Sequence, residues 1–423
     1  MNESEWLTRK QRIDTKLRAA QPAWKIIRYS EGMNLAALHQ CAVEEFPTAN
    51  GPADYALFVD GQLLGIIEAK KVGVNPQNVL EQAKRYAQGA FGGVGNWNGL
   101  RVPFLYATNG EIIWHLDARD TKRISRQIRQ FHTSTALQEF WAKDRQTAFE
   151  WLRTTPHEQI DRLRYYQKNA LASIEKELMN GQRELLVAMA TGTGKTYTTV
   201  SQIYRLLESK YARRVLFLVD RKSLAAQAVR EFASFNTPIG NKFNQEYEVY
   251  SQRFRKEDFG DDQPFDPKVL PNEYLTNPNS AHTFVYVSTI QRMAINLFGR
   301  ERMFAQSLSD PDYEEDASKL SIPIHAFDVI IVDECHRGYT AQETSIWRDV
   351  ITHFDAVKIG LTATPAPHTT AIFGEPVFRY TVERAILDGW LVDYEAKIIN
   401  SQIRMNGVSA RRRIRPQGRH NHG

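Results

Sequence analysis

The sequence predicts an α/β fold built on two separate sheets, and three observations carry that expectation. From residue 183 onward, strand-like apolar runs alternate with helical patterns, which is how parallel sheets are written. A glycine loop, Ala190 to Thr196, directly follows the first of these runs and opens a helix. Residues 1–150 have a different character, and so form a unit of their own. That unit begins with a Glu/Lys-rich N-terminal helix, followed by the strands Tyr55–Val59 and Leu63–Lys70 joined at Asp60-Gly61. Asn75-Pro76 then introduces a helix. Residues 151–182 connect the units. In 183–394, strands are expected near Leu185–Met189, Val215–Val219, Phe284–Ser288, Asp328–Val332 and Val357–Leu361, with helices over Thr196–Ser209 and Ser223–Phe235. Residues 236–281, rich in Asn, Pro and charge, read as a surface insertion. Residues 395–423 form a basic tail without core-forming residues, expected to be disordered.

The glycine loop has the chemistry of a phosphate cradle. Gly192 and Gly194 let backbone N–H groups of Thr191 to Thr193 approach phosphate oxygens, Lys195 reaches the β- and γ-phosphates, and the Thr196 hydroxyl holds Mg²⁺. A later apolar run ends in Asp333-Glu334-Cys335-His336. Asp333 would hold the same ion, and Glu334 would polarise the attacking water, since phosphoryl transfer needs a positioned nucleophile and neutralised charge. ATP and Mg²⁺ are therefore the expected cofactors. Met189 occupies the place where the simple loop signature has glycine, which makes this a variant loop.

A second candidate site lies near the N-terminus. Strand alternation puts Leu64, Ile66, Glu68 and Lys70 on one face, apolar until its polar end. Asp54 and Glu68 offer hard oxygen ligands for Mg²⁺, and Lys70 would orient or deprotonate water, the equipment of a phosphodiesterase. The pattern is short, and by itself a solvated strand end fits it too. Gln82 and Tyr86, four apart on a helix, share a face. They would reach a nucleic-acid backbone or steady the site; alternatively the tyrosine packs in the core. The basic stretch Arg119, Lys122, Arg123, Arg126 and Arg129 reads as phosphate contacts or as a solvated helix face.

Composition excludes several classes. The chain has 423 residues, 42% of them hydrophobic, enough for packed cores. Its net charge of +5 comes from the end of the chain, where Arg404, Arg411, Arg412, Arg413, Arg415 and Arg419 stand without an acid. That run reads as phosphate-binding or as a disordered end. Cys41 and Cys335 fall in different units, so a disulfide framework is not expected. No run approaches the roughly 18 apolar residues of a membrane span. A cytoplasmic protein with no membrane partner is the expectation.

Taken together, these motifs resemble a known family. Gln167 (at the adenine-reading position), Thr191 to Thr196, Val219-Asp220-Arg221 with Gln227, Ser288-Thr289-Ile290-Gln291, Asp333 to His336 and Leu361-Thr362-Ala363-Thr364-Pro365 resemble the motif set of a superfamily 2 helicase-type motor. With Asp54, Glu68-Ala69-Lys70, Gln82 and Tyr86 ahead of it, the chain resembles the restriction (R) subunit of type I restriction-modification enzymes. The resemblance implies a restriction-endonuclease-like α/β domain of the PD-(D/E)xK type, then a RecA-like parallel-sheet lobe. It implies an ATP-dependent DNA endonuclease and translocase, partnered by double-stranded DNA and by methyltransferase (M) and specificity (S) subunits. Ser288 and Thr289 would contact DNA. A complete motor has a second lobe, for which no room follows Tyr394, so a truncated chain is expected. The alternative is a superfamily 2 DNA helicase or repair ATPase with a non-catalytic N-terminal DNA-binding domain. A non-enzymatic fragment that only binds nucleotide or partner subunits is the third reading.

Overall fold

The computed structural model describes residues 4–120, 122–254, 267–301, 317–336 and 341–393. The basic tail and its arginines lie outside the described residues. The first sheet has seven strands in sequential order: β1 (Lys25–Arg28), β2 (Gln40–Phe46), β3 (Ala53–Val59), β4 (Gln62–Ala69), β5 (Phe104–Thr108), β6 (Ile113–Asp117) and β7 (Arg126–Ile128). It is mixed, with β1–β2 and β4–β5 parallel and the other pairs antiparallel. The hairpin at Asp60-Gly61 is present, Gly61 having φ +77°. Asn75 accepts from the Gln77 amide and starts a short 3₁₀ turn that runs into the helix Leu80–Gln88.

The second sheet is wholly parallel. Its strands are β8 (Glu184–Met189), β9 (Arg214–Val219), β10 (Glu248–Ser251), β11 (Lys268–Val269), β12 (Phe284–Thr289), β13 (Val329–Val332), β14 (Val357–Thr362) and β15 (Pro376–Tyr380). Their spatial order is β11-β10-β12-β9-β13-β14-β8-β15. Helices Lys195–Glu208 and Lys222–Ser234 stand where the periodicity puts them. Leu185, Val187, Val215, Phe217, Ile331 and Ile359 form one buried cluster, and Leu186, Leu216, Leu218, Ile330 and Val332 another. Burial on both faces explains why these strands read as unbroken apolar runs.

Three expectations need correction. Residues 236–281 are not a mere insertion: β10 pairs with β12 and β11 with β10, extending the sheet edge. These strands are too short and polar for periodicity to reveal. In the first sheet, Leu57 pairs with Gly65 but Phe58 with Leu63, leaving Leu64 as an extra residue. Such a bulge moves the following residues to the other face. Leu63 and Ile66 thus pack with Leu80 and Ala83, whereas Leu64 packs with Ile67 and Tyr106, so Leu64 leaves its expected face.

The third correction concerns the basic stretch, which is not a helix, and in which Arg119 and Arg126 are engaged with carboxylates of this chain. Arg126, in β7, bonds Asp355 through Nε at 2.6 Å and Nη2 at 2.8 Å, and Arg119 pairs with Asp117 at 2.8 Å. Arg126–Asp355 belongs to the seam between the sheets, whereas Arg119–Asp117 lies within the first unit. Arg183 bonds Asp355 at 3.0 Å, Lys143 bonds Asp328 at 3.0 Å, and Arg214 bonds Glu139 at 2.7 Å. His132 Nε2 lies 2.9 Å from Asp355, and its Nδ1 lies 2.8 Å from the Tyr106 hydroxyl. Burial holds His132 neutral, so Nε2–H donates to the carboxylate while Nδ1 accepts from tyrosine. His115, His132 and Asp355 are close enough to suggest a metal cluster. Arg126 and Arg183, both bonded to Asp355, would repel a cation there.

Candidate functional site

The glycine loop leaves β8 at Met189, which is fully buried at the strand end and pairs with Tyr380. The position that departs from the simple signature is therefore strand, and the turn is made farther on. Gly192 and Gly194 take φ +82° and +80°, a region that favours glycine. Thr193, fully buried, closes the loop by donating Oγ1 to the Ala190 carbonyl at 2.6 Å. Lys195 starts the following helix and lies 3.5 Å from Glu334 Oε1. Thr191 is exposed and Thr196 half-buried beside it.

Gln167 sits in the helix Tyr165–Met179, so the connecting segment is largely helical. Its Nε2 donates to the Thr193 and Gly194 carbonyls, each at 3.2 Å, and its Oε1 accepts from the Arg164 amide at 2.8 Å. Beside it opens a cavity of about 240 Å³ lined by Arg162, Arg164, Gln167, Gly194 and Tyr197.

Asp333 follows β13, and its Oδ1 accepts from the Glu334 amide at 2.9 Å. Glu334 has φ +50°. Its carboxylate lies 3.2 Å from His336 Nδ1, which lies 2.9 Å from Thr362 Oγ1 at the end of β14. Lys195, Glu334, His336 and Thr362 thus form a continuous polar chain across the strand ends. Ser288 and Thr289 are fully buried. Thr289 caps the helix Ile290–Phe298 and bonds Gln252. Neither side chain offers a surface to DNA, which corrects that expectation.

The N-terminal site is assembled by β3 and β4. Asp54 Oδ2 accepts from the Ala69 amide at 2.7 Å, and Lys70 Nζ donates to Glu68 Oε1 at 2.6 Å. Glu68 is 2% exposed. Burial, then the adjacent Asp54 carboxylate, push its pKa up to about 8. Burial likewise raises Asp54. For Lys70, burial opposes the charge, but Glu68, Glu5 and Asp54 outweigh it and raise the pKa. Two buried carboxylates that resist joint ionisation, both hard oxygen donors, fit a divalent cation.

Gln82 Nε2 donates to the Tyr86 hydroxyl at 2.8 Å, and Tyr86 is buried in the core below β4. The pair is brought together, in the packed arrangement. Sequence reasoning missed Arg9, which donates to Asp54 Oδ1 at 3.0 Å. It also missed Asn109, whose Nδ2 holds the carbonyls of Val72 and Val74 just past Lys70. Neither has a spacing signal, because each reaches the site from a distant stretch of chain.

Two family models match: "Type III restriction enzyme, res subunit" over residues 160–367, and "Type I restriction enzyme EcoKI endonuclease subunit second domain" over residues 24–141. The EcoKI endonuclease subunit of Escherichia coli (strain K12) is 31% identical over 474 residues, covering 96% of this chain and 37% of that protein. The EcoAI endonuclease subunit of Escherichia coli is 29% identical over 379 residues, covering 84% and 38%. The chain thus spans little more than a third of the length of these relatives. A solved fragment described as an HsdR subunit of a type I restriction enzyme from Vibrio vulnificus YJ016 aligns with 92% of this chain and 61% of its own. It is 20% identical, with a TM-score of 0.34.

Proposed function

This chain belongs to the family of type I restriction enzyme endonuclease subunits, and we propose that it carries a Mg²⁺-dependent DNA nuclease site and an ATP-driven motor site. Residues 1–150 are taken as the nuclease unit, 151–182 as the linker with the adenine-reading Gln167, and 183–394 as the first motor lobe. Its partners would be double-stranded DNA and the methyltransferase and specificity subunits. The observation that carries this reading is the gathering of Asp54, Glu68 and Lys70 at one end of β4, in a chain whose other sheet sets Lys195 opposite Glu334.

In the nuclease site, Asp54 and Glu68 would hold a divalent ion, which when bound supplies Lewis acidity toward the phosphate and an activated water. Lys70, which donates to Glu68 at 2.6 Å, neutralises charge on the phosphodiester and orients or deprotonates water. In the motor site, Thr196 and Asp333 would hold Mg²⁺. Arriving phosphates draw Lys195 away from Glu334, so the pairing at 3.5 Å becomes a handover. Glu334, released from lysine but still held by His336, is then free to orient the attacking water.

The test uses the chain assembled with its methyltransferase and specificity partners, following plasmid cleavage and phosphate release in parallel. Glu68→Gln is expected to abolish cleavage and preserve ATP turnover. Cleavage at the wild-type rate by that variant would favour a helicase whose N-terminal unit only binds DNA.

A further inference from the structure

Arg9 lies in the N-terminal helical segment, which widens into a π turn over Arg9–Ile13 between Glu5–Thr8 and Asp14–Ala19. Only 9% exposed, its guanidinium is fixed on several sides. Nη1 donates to Asp54 Oδ1 at 3.0 Å and to Glu45 Oε1 at 2.5 Å. Nη2 donates to the Asp54 carbonyl oxygen at 3.3 Å and lies 3.7 Å from Glu44. Its Cζ stands 5.0 Å from the centroid of the Tyr55 ring.

The backbone is strained in favour of this arrangement. Glu45 has φ +53°, and the β2–β3 ladder steps from Glu44–Tyr55 to Phe46–Ala53, passing over Glu45 and Asp54. A non-glycine residue in that region costs about 1–3 kcal/mol and persists only where its surroundings hold it. Here the surroundings are the guanidinium, on which the Glu45 and Asp54 carboxylates converge.

Two-metal phosphodiesterases hold their ions about 3.5–4 Å apart, clamping the attacking and leaving oxygens. Asp54 has one oxygen on the Ala69 amide and the other on Arg9. An additional ion between Asp54 Oδ1 and Glu45 would have to stand where the guanidinium stands. Glu68, by contrast, is left on the opposite side with Lys70. We propose that Arg9 is the built-in second cation of this pocket: the site takes one divalent ion, at Asp54 and Glu68, and Arg9 fixes Asp54 and neutralises the oxygen that would otherwise share another. Arg9 is thus a positioning residue. This assignment rests on the nuclease reading above.

The test counts Mn²⁺ ions on the nucleotide-free chain by electron paramagnetic resonance, scoring those lost in an Asp54→Asn/Glu68→Gln double variant. One ion is expected for the wild type and for Arg9→Lys, and two for Arg9→Ala and Arg9→Gln. Thermal unfolding with and without Mn²⁺ reports folding of each variant independently of cleavage. Where Arg9→Ala fails to fold, Arg9→Gln, which keeps a polar stem, carries the same expectation. Two ions in the wild type, or one in folded Arg9→Gln, would overturn the Arg9 assignment and leave the nuclease reading standing. No ion lost from the wild type would overturn the nuclease reading itself.

Discussion

Glu334 and Lys195 share one ion pair but have separable duties, and substitution should part them. Lys195→Ala removes the cation proposed to face the phosphates. Hydrogen bonds to charged groups are worth about 1.5–3 kcal/mol, so nucleotide affinity measured by calorimetry should fall roughly ten- to a hundredfold. Glu334→Gln keeps shape and loses charge. Affinity should hold while phosphate release from the assembled enzyme drops by about 10²–10⁴, the range for a positioned acid–base group. Normal hydrolysis by that variant would remove Glu334 from the water's environment. The residues of the proposed nucleotide site are legible in the sequence because phosphate chemistry confines such residues to short contiguous words. Arg9 is not, since it meets Asp54 from 45 positions away and inside a helix whose charges look like a solvated face.

Among the elements, the glycine loop is the least tolerant. A Cβ on Gly194 would come within 2.6 Å of Gln167 Nε2 and would sit at φ +80°. Left-handed backbone costs a residue with a side chain roughly 1–2 kcal/mol, and Gln167 would also be pushed off the loop. Gly194→Ala should therefore weaken nucleotide binding at least about tenfold, read by the same calorimetry; unchanged affinity would mean Gln167 moves freely. The motor strands were legible because both faces are buried and their sequence is continuously apolar. The strands β1, β2, β5, β6 and β7 escaped notice. In β7 Arg126 serves the seam between sheets, and in β6 His115 is buried beside Tyr106 and His132. Arg126 and, in β5, Tyr106 bond to partners far along the chain, which local pattern cannot reveal.

The molecule as a whole depends on that seam. Asp355, 3% exposed, is bonded to Arg126, Arg183 and His132. Asp355→Asn leaves the half-buried guanidiniums of Arg126 and Arg183 without their counter-charge; breaking a fully buried pair costs about 3–5 kcal/mol, so a loss toward the lower end of that range is expected, and chemical denaturation should report it. Acid should act on the same place. Burial holds His115, His132 and His325 below the ordinary histidine value of 6.5. Below that pH the unfolded chain takes up protons that the folded one refuses, so stability is full above about 6.5 and declines as pH falls. Asp355 is held far below the usual carboxylate range because Arg126 and Arg183 outweigh its burial, so its contribution persists to much lower pH. Denaturation midpoints flat from pH 7 to about 5 would contradict this.

Three ion pairs of the seam meet the second sheet where its strands begin: Arg214 at the start of β9, Asp328 before β13 and Asp355 before β14. The phosphate loop, Glu334 and Thr362 stand where those strands finish. The first unit is thus fixed to the end of the second sheet opposite its glycine loop. If the first unit cuts DNA and the second is driven by nucleotide, as proposed, the cutting unit would ride as cargo of that lobe, and where it falls on DNA would be set by where the lobe has halted.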